Sequence, residues 1–171
     1  PDIFHTESPL LIRLIEKNRV NTIINYLSIE PGDNVLELGC GAANILNKVN
    51  CKNKTGIDLL DYILMRAKKN EAGVKLIQSD VQTRIFKKGS FDKIICSEVL
   101  EHLPFPEKVV ENAFELLKPN GLFITSIPIE QNIQNIKNII SKLKISSLFS
   151  NKSYSFNEVK STIDEWHLHN K

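Results

Sequence analysis

The order of segments predicts an α/β chain with an open, mostly parallel sheet carrying helices on both faces, and three observations carry this reading. Short apolar runs of strand length recur at residues 35–38, 54–58, 74–79, 91–97 and 122–127. Helix-like stretches at 43–49, 60–70 and from Pro106 through Leu117 lie between them. Pro31-Gly32-Asp33 and Pro119-Asn120-Gly121 are turn signals before the first and fifth strand candidates. Strands that alternate with helices pair in parallel, because each crossover returns the chain to the same edge direction, and the helices then cover the sheet.

Each element has a local reason. Ser8 and Pro9 suit a helix N-cap and first turn ahead of Leu11, Leu14, Ile15, Ile23, Ile24 and Leu27, so residues 1–29 are expected to hold a leading helix with one buried face. Residues 30–128 then form the alternating core. Beyond it, Ile133, Ile136, Ile140 and Leu143 recur at helical spacing, predicting an amphipathic helix over 130–144, with Lys137, Lys142 and Lys144 on its solvated side. The polar, aromatic stretch 150–156 is expected to be a loop over the substrate, and residues 129–171 as a whole a cap or substrate segment of a single domain, 1–171. The start at Pro1 without a Met is expected to mark an excerpt of a longer polypeptide.

Composition narrows the function classes. A length of 171 residues is enough for one sizeable core, and a formal net charge of +2 creates no strong field toward nucleic acid. The basic, aromatic-interleaved patch of an RNA binder is also not visible. No apolar stretch approaches the roughly 18 residues of a membrane span, and the opening residues have no basic segment leading into an apolar core, as a secretory signal would. Cys40, Cys51 and Cys96 are odd in number and lack metal-ligand spacing, which predicts free thiols and a cytoplasmic protein.

The chemistry concentrates in VLELGCGAAN, residues 35–44. A glycine-rich turn between a first strand and a first helix stands at the carboxyl end of the sheet, where open α/β sheets bind ligands. Asn44 occupies the position of the third glycine of a dinucleotide fingerprint, and Glu37 would confront a pyrophosphate. Asp58, 21 residues after Glu37, stands where a carboxylate can accept from both ribose hydroxyls, and Asp80 can accept from an adenine amino group. Acidic groups around the loop suit an ammonium and a sulfonium better than phosphates. Taken one at a time, the same glycines also suit a tight turn and Asp58 a helix cap.

With these residues, the segments VLELGCGAAN, TGIDLLDYILMRAKK, LIQSDVQ, SFDKIICSEVLEHL and ELLKPNGLFITSIP, in this order over about residues 30–128, resemble the class I S-adenosylmethionine-dependent methyltransferases, and within them the methyltransferase type 11 and ubiquinone-biosynthesis O-methyltransferase group. The resemblance implies a Rossmann-like fold and S-adenosylmethionine as cofactor. It implies that Glu37, Gly39 and Gly41 line the methionine end, that Asp58 with Leu59 takes the ribose, that Asp80 with Val81 frames the adenine, and that Ser97 lies near the methyl-donor end. Ala43 departs from the pattern, since many members carry a glycine there. A methyl group is accommodated if ordinary dihedrals begin a helix at that point, with slight reshaping of the pocket. The family's sheet closes with two further strands; none is evident after Ile127, so the C-terminus is expected to be cut short.

A second stretch, SEVLEHL at 97–103, places Glu98, Glu101 and His102 at i, i+3 and i+4, one face of a helix. Such a set can bind Mg²⁺ or Mn²⁺, can supply Glu101 and His102 as base or substrate contacts, or can be only a surface turn before Pro104. The E-x-x-E-H arrangement is similar to that of ubiquinone-biosynthesis O-methyltransferases, where it binds a divalent metal, and of small-RNA 2′-O-methyltransferases. His167 and His169 could complete a metal site with His102, but are read first as surface histidines. The leading expectation is methyl transfer from S-adenosylmethionine to a small-molecule oxygen, nitrogen or carbon acceptor. The alternatives are a metal-dependent RNA 2′-O-methyltransferase and a non-catalytic S-adenosylmethionine-binding partner subunit. Oligomeric state is not legible.

Overall fold

The computed structural model describes residues 10–70 and 73–127. Helix α1 (Leu10–Leu27) leads into β1 (Asn34–Leu38), a 3₁₀ turn (Leu46–Lys48), β2 (Asn53–Asp58), α2 (Asp61–Asn70), β3 (Val74–Gln78) and β4 (Phe91–Ser97). A second 3₁₀ turn (Leu100–His102), α3 (Pro106–Leu116) and β5 (Leu117–Ser126) come next. The five strands form one sheet in the order β3-β2-β1-β4-β5, and every pair is parallel. Residues Arg19–Ile127 make one compact unit. The expectations for Ser8, Pro9, the 130–144 helix, the 150–156 loop, His167 and His169 lie outside the described residues.

The central strand shows why the sheet is covered on both sides. Side chains alternate along a strand, so Val35 enters one apolar cluster while Leu36 and Leu38 enter the other. The first cluster gathers Val20, Ile23 and Leu27 of α1 with Leu64 and Ala67 of α2. The second gathers Val109, Ala113 and Leu116 of α3, spaced by four and three residues along one helix face. Full burial of each large aliphatic chain contributes about 1.5–3 kcal/mol, and these two layers hold the strand ends in fixed register.

Four sequence expectations need correction. The buried stripe of α1 runs through Val20, Ile23 and Leu27, whereas Leu14 and Ile15 are exposed. Residues 43–49 hold no α-helix, only the short 3₁₀ turn. The Pro119-Asn120-Gly121 signal does not precede β5 but lies inside it: register jumps from Phe91 opposite Leu117 to Lys93 opposite Leu122, so the intervening residues bulge, with Asn120 at φ +65°. SEVLEHL is not α-helical either, since Glu98 takes φ +55° directly after β4.

Ala43 also departs from expectation. It takes φ +60°, in the left-handed region, while its methyl is fully buried in the first cluster. The strain, about 1–2 kcal/mol, opposes the roughly 0.8 kcal/mol of methyl burial and the similar entropy penalty of a glycine. Ala43→Gly is therefore expected to change stability by less than about 0.5 kcal/mol. Ala67→Gly, equally buried but inside α2, is expected to cost about 2 kcal/mol. Urea denaturation of both variants checks this; equal losses would mean that the strain at Ala43 is not real.

Candidate cofactor-binding site

The site forms where β1, β2 and β4 end side by side. Beyond Leu38 the chain turns back over β2: the Gly39 and Cys40 N–H groups both donate to the Ile57 carbonyl at 2.9 Å, and the Gly41 N–H donates to Asp58 Oδ2 at 2.8 Å. Asp58 Oδ1 accepts from the Leu60 N–H at 3.0 Å, ahead of α2. The turn-stabilising role of Asp58 is thus present. Each of its carboxylate oxygens still has a second lone pair for a ligand hydroxyl. Leu59 beside it is 61 % exposed.

Two glycines make this turn possible. Gly39 has φ +71°, and a Cβ there would stand 2.4 Å from Val99 Cγ2, so the residue after Glu98 is packed against the loop. Gly56 in β2 lies under the Cys40 side chain, where a Cβ would meet Sγ at 2.6 Å. Cys40 and Cys96 are buried free thiols, and burial, the largest cause, pushes both thiols up, Cys96 to about 12. Neither is a nucleophile.

Glu37 is 3 % exposed, the one buried charged side chain among the described residues. Burial pushes its carboxyl up to about 8, and Asp58 adds to this, against the opposing pull of the Leu46 amide and Arg19. Its Oε2 has no hydrogen-bond partner among the described residues.

At the end of β4, Ser97 Oγ lies 2.7 Å from Ser126 Oγ and accepts from Arg19 Nη1 at 2.5 Å. The same guanidinium nitrogen is 3.3 Å from Glu98 Oε2. Sequence reasoning missed Arg19, Ser126 and Gly56, because helix and strand positions carry no loop motif, and Val99, whose contact with Gly39 joins segments far apart in the chain. Asp80 lies after β3, where its Oδ1 accepts from the Gln82 N–H at 2.8 Å, and Val81 is buried in the second cluster.

The metal expectation does not fit. SEVLEHL does not form the α-helix whose i, i+3 and i+4 positions would align Glu98, Glu101 and His102, and Glu98 is paired with Arg19. His102 Nε2 lies 3.9 Å from Glu101 Oε1, an ion pair only when the imidazole is protonated. Among the described residues no group of three His, Cys, Asp or Glu side chains is placed to hold a metal ion.

Asp58, Asp80 and Glu37 thus bring three carboxyl groups to the ends of β1, β2 and β3, with Arg19 beside Ser97 and Glu98 at the end of β4. The glycine cradle at Gly39 has no room for a Cβ. Fold and site together define a class I S-adenosylmethionine-dependent methyltransferase domain. The chain belongs to this family, matching the family described as "Methyltransferase domain" over residues 29–167. It is 30% identical over 124 residues to a ubiquinone biosynthesis O-methyltransferase of Coxiella burnetii, covering 68% of this chain and 52% of that protein. It is 32% identical over 107 residues to a sterol 24-C-methyltransferase of Pneumocystis carinii, covering 57% of this chain and 28% of that protein. The chain thus spans about half the length of the ubiquinone-biosynthesis relatives, or less. Among solved structures, the YcgJ protein of Bacillus subtilis shares the fold with a TM-score of 0.62 at 19% identity, over 87% of this chain and 67% of that one. Coclaurine N-methyltransferase bound to N-methylheliamine and SAH aligns with a TM-score of 0.57 at 22% identity, over 64% of this chain and 35% of that one. Among the described residues no helix is long and apolar enough to cross a membrane.

Proposed function

We propose that the chain provides the cofactor-binding part of an enzyme that moves a methyl group from S-adenosylmethionine to a small-molecule acceptor, in a cytoplasmic setting that suits its free thiols. The observation that carries this is the loop Gly39–Gly41 fastened to Asp58 with buried Glu37 nearby. The ubiquinone-biosynthesis and sterol relatives support a small-molecule acceptor.

In this reading Asp58 accepts from the ribose hydroxyls, exposed Leu59 lies along the nucleoside, and Asp80 and Val81 frame the adenine. Gly39 and Gly41 let the backbone approach the methionine moiety, whose ammonium lies toward Glu37 and whose carboxylate meets Arg19. Ser97, tied to Ser126, marks the donor end. When bound, the sulfonium supplies an already activated methyl group. The protein's main task is then alignment, worth up to about 7–11 kcal/mol of the barrier. His102, 3.9 Å from Glu101 in the turn after β4, is the group this reading assigns to take a proton from a hydroxyl acceptor, a contribution of about 10²–10⁴-fold.

Calorimetric titration tests the cofactor. S-adenosylmethionine is expected to bind saturably and NAD not at all. Asp58→Asn, which keeps one of the two turn acceptors, and Arg19→Met are each expected to weaken binding about 10–100-fold, since a hydrogen bond to a charged group is worth about 1.5–3 kcal/mol. Unchanged affinity in both variants, or equal binding of NAD, would overturn the reading.

A further inference from the structure

Glu37 is more than the motif's acidic letter. Its side chain is 3 % exposed, and Oε2 lacks a partner among the described residues, although the carboxyl lies near enough to Cys40 of the Gly39–Gly41 loop to act on its thiol. A buried carboxylate without its full set of donors is costly, whereas a carboxyl that keeps its proton is tolerated. The charged groups acting on it are Arg19 from α1 and Asp58 from β2; the thiols of Cys40 in the loop and Cys96 in β4 lie near enough to feel its charge, and Lys54 of β2 is turned to the Leu46 carbonyl, 3.1 Å away. Arg19 is shared with Glu98, and Asp58 repels a second negative charge. No cation is dedicated to Glu37 within this set.

We infer that Glu37 is neutral in the free chain and yields its proton to solvent when a ligand ammonium settles over the Gly39–Gly41 loop, so that it selects ligands carrying a protonated amine there. This rests on the reading of the site as an S-adenosylmethionine site. The exchange balances: the protonated carboxyl and the ligand ammonium become a carboxylate–ammonium pair, and one proton passes to the buffer. Contact is not required. An opposite charge within about 4–6 Å lowers a carboxyl pKa by about 1–3 units, and burial has raised that of Glu37 to about 8, so the change crosses neutrality.

The experiment is calorimetric titration at pH 7 in phosphate and in Tris, whose different ionisation heats report the protons released. S-adenosylhomocysteine, which has the amine but no sulfonium, is compared with 5′-methylthioadenosine, which has neither. Roughly half to one proton is expected to be released with the first and almost none with the second. The release should shrink above pH 8 as the free carboxyl ionises by itself, and Glu37→Gln should abolish it while narrowing the affinity gap between the two ligands. Equal proton counts for the two ligands, or release that survives in Glu37→Gln, would overturn the inference and leave the cofactor assignment standing. Failure of both ligands to bind would overturn the cofactor assignment and the inference with it. The two-ligand comparison needs only the wild-type chain, so it decides the matter even if the variant does not fold.

Discussion

Glu37→Gln is expected to flatten the pH dependence of stability between pH 5 and pH 9, with little difference from wild type at the acid end. The sign comes from linkage. Burial raises the Glu37 carboxyl from 4.5 to about 8 in the folded chain, so between these values the folded state holds a proton that the unfolded chain has lost. Stability then falls as pH rises through this window and levels off above about 8. The full span corresponds to at most roughly 5 kcal/mol, a large share of the 5–15 kcal/mol by which domains are stable. Relaxation around the carboxylate will reduce it, and about 2–4 kcal/mol is the expected difference between wild type and variant at pH 9 relative to pH 5. Urea denaturation at three pH values measures it. Parallel curves for the two proteins would show that Glu37 is hydrated or ion-paired in the folded chain.

Gly39→Ala is expected to cost about 2–4 kcal/mol and to weaken S-adenosylmethionine binding by at least about 30-fold. Two effects add. The backbone at φ +71° is unfavourable for any residue with a Cβ, and that Cβ would lie 2.4 Å from Val99 Cγ2. Val99 packs against the second apolar cluster, so it cannot yield without opening a gap. Gly41→Ala separates the two, because φ is +51° there but nothing lies within 4 Å of its would-be Cβ; about 1 kcal/mol is expected. Adding Val99→Ala should restore part of the loss in Gly39→Ala and none in Gly41→Ala. Equal costs at the two glycines would mean that the loop is not packed against Val99.

The pattern of five apolar runs was enough to state a parallel sheet with helices on both faces, because strand and helix periods are local properties and parallel pairing needs crossovers. The acidic and glycine positions from Glu37 to Asp80 were legible for a related reason: they sit at strand ends, and strand ends in such sheets converge on one ligand cleft. Local pattern failed where backbone handedness intervened. Ala43 and Glu98 both take positive φ, so the helices read through 43–49 and 97–103 do not form there, and with the second the shared face of Glu98, Glu101 and His102 is lost.

The sequence by itself determined the fold class, the glycine-rich loop after β1 and the acidic residues at the strand ends around it, since each depends on neighbours within a few positions or on the fixed order of a parallel sheet. Only the tertiary structure decided that Arg19, 78 residues from Ser97, closes on the end of β4, that Val99 bars a side chain at Gly39, and that Glu37 is buried without a full set of partners. These depend on packing between distant segments, where burial sets the charge of a carboxyl and contact sets the room for a methyl group.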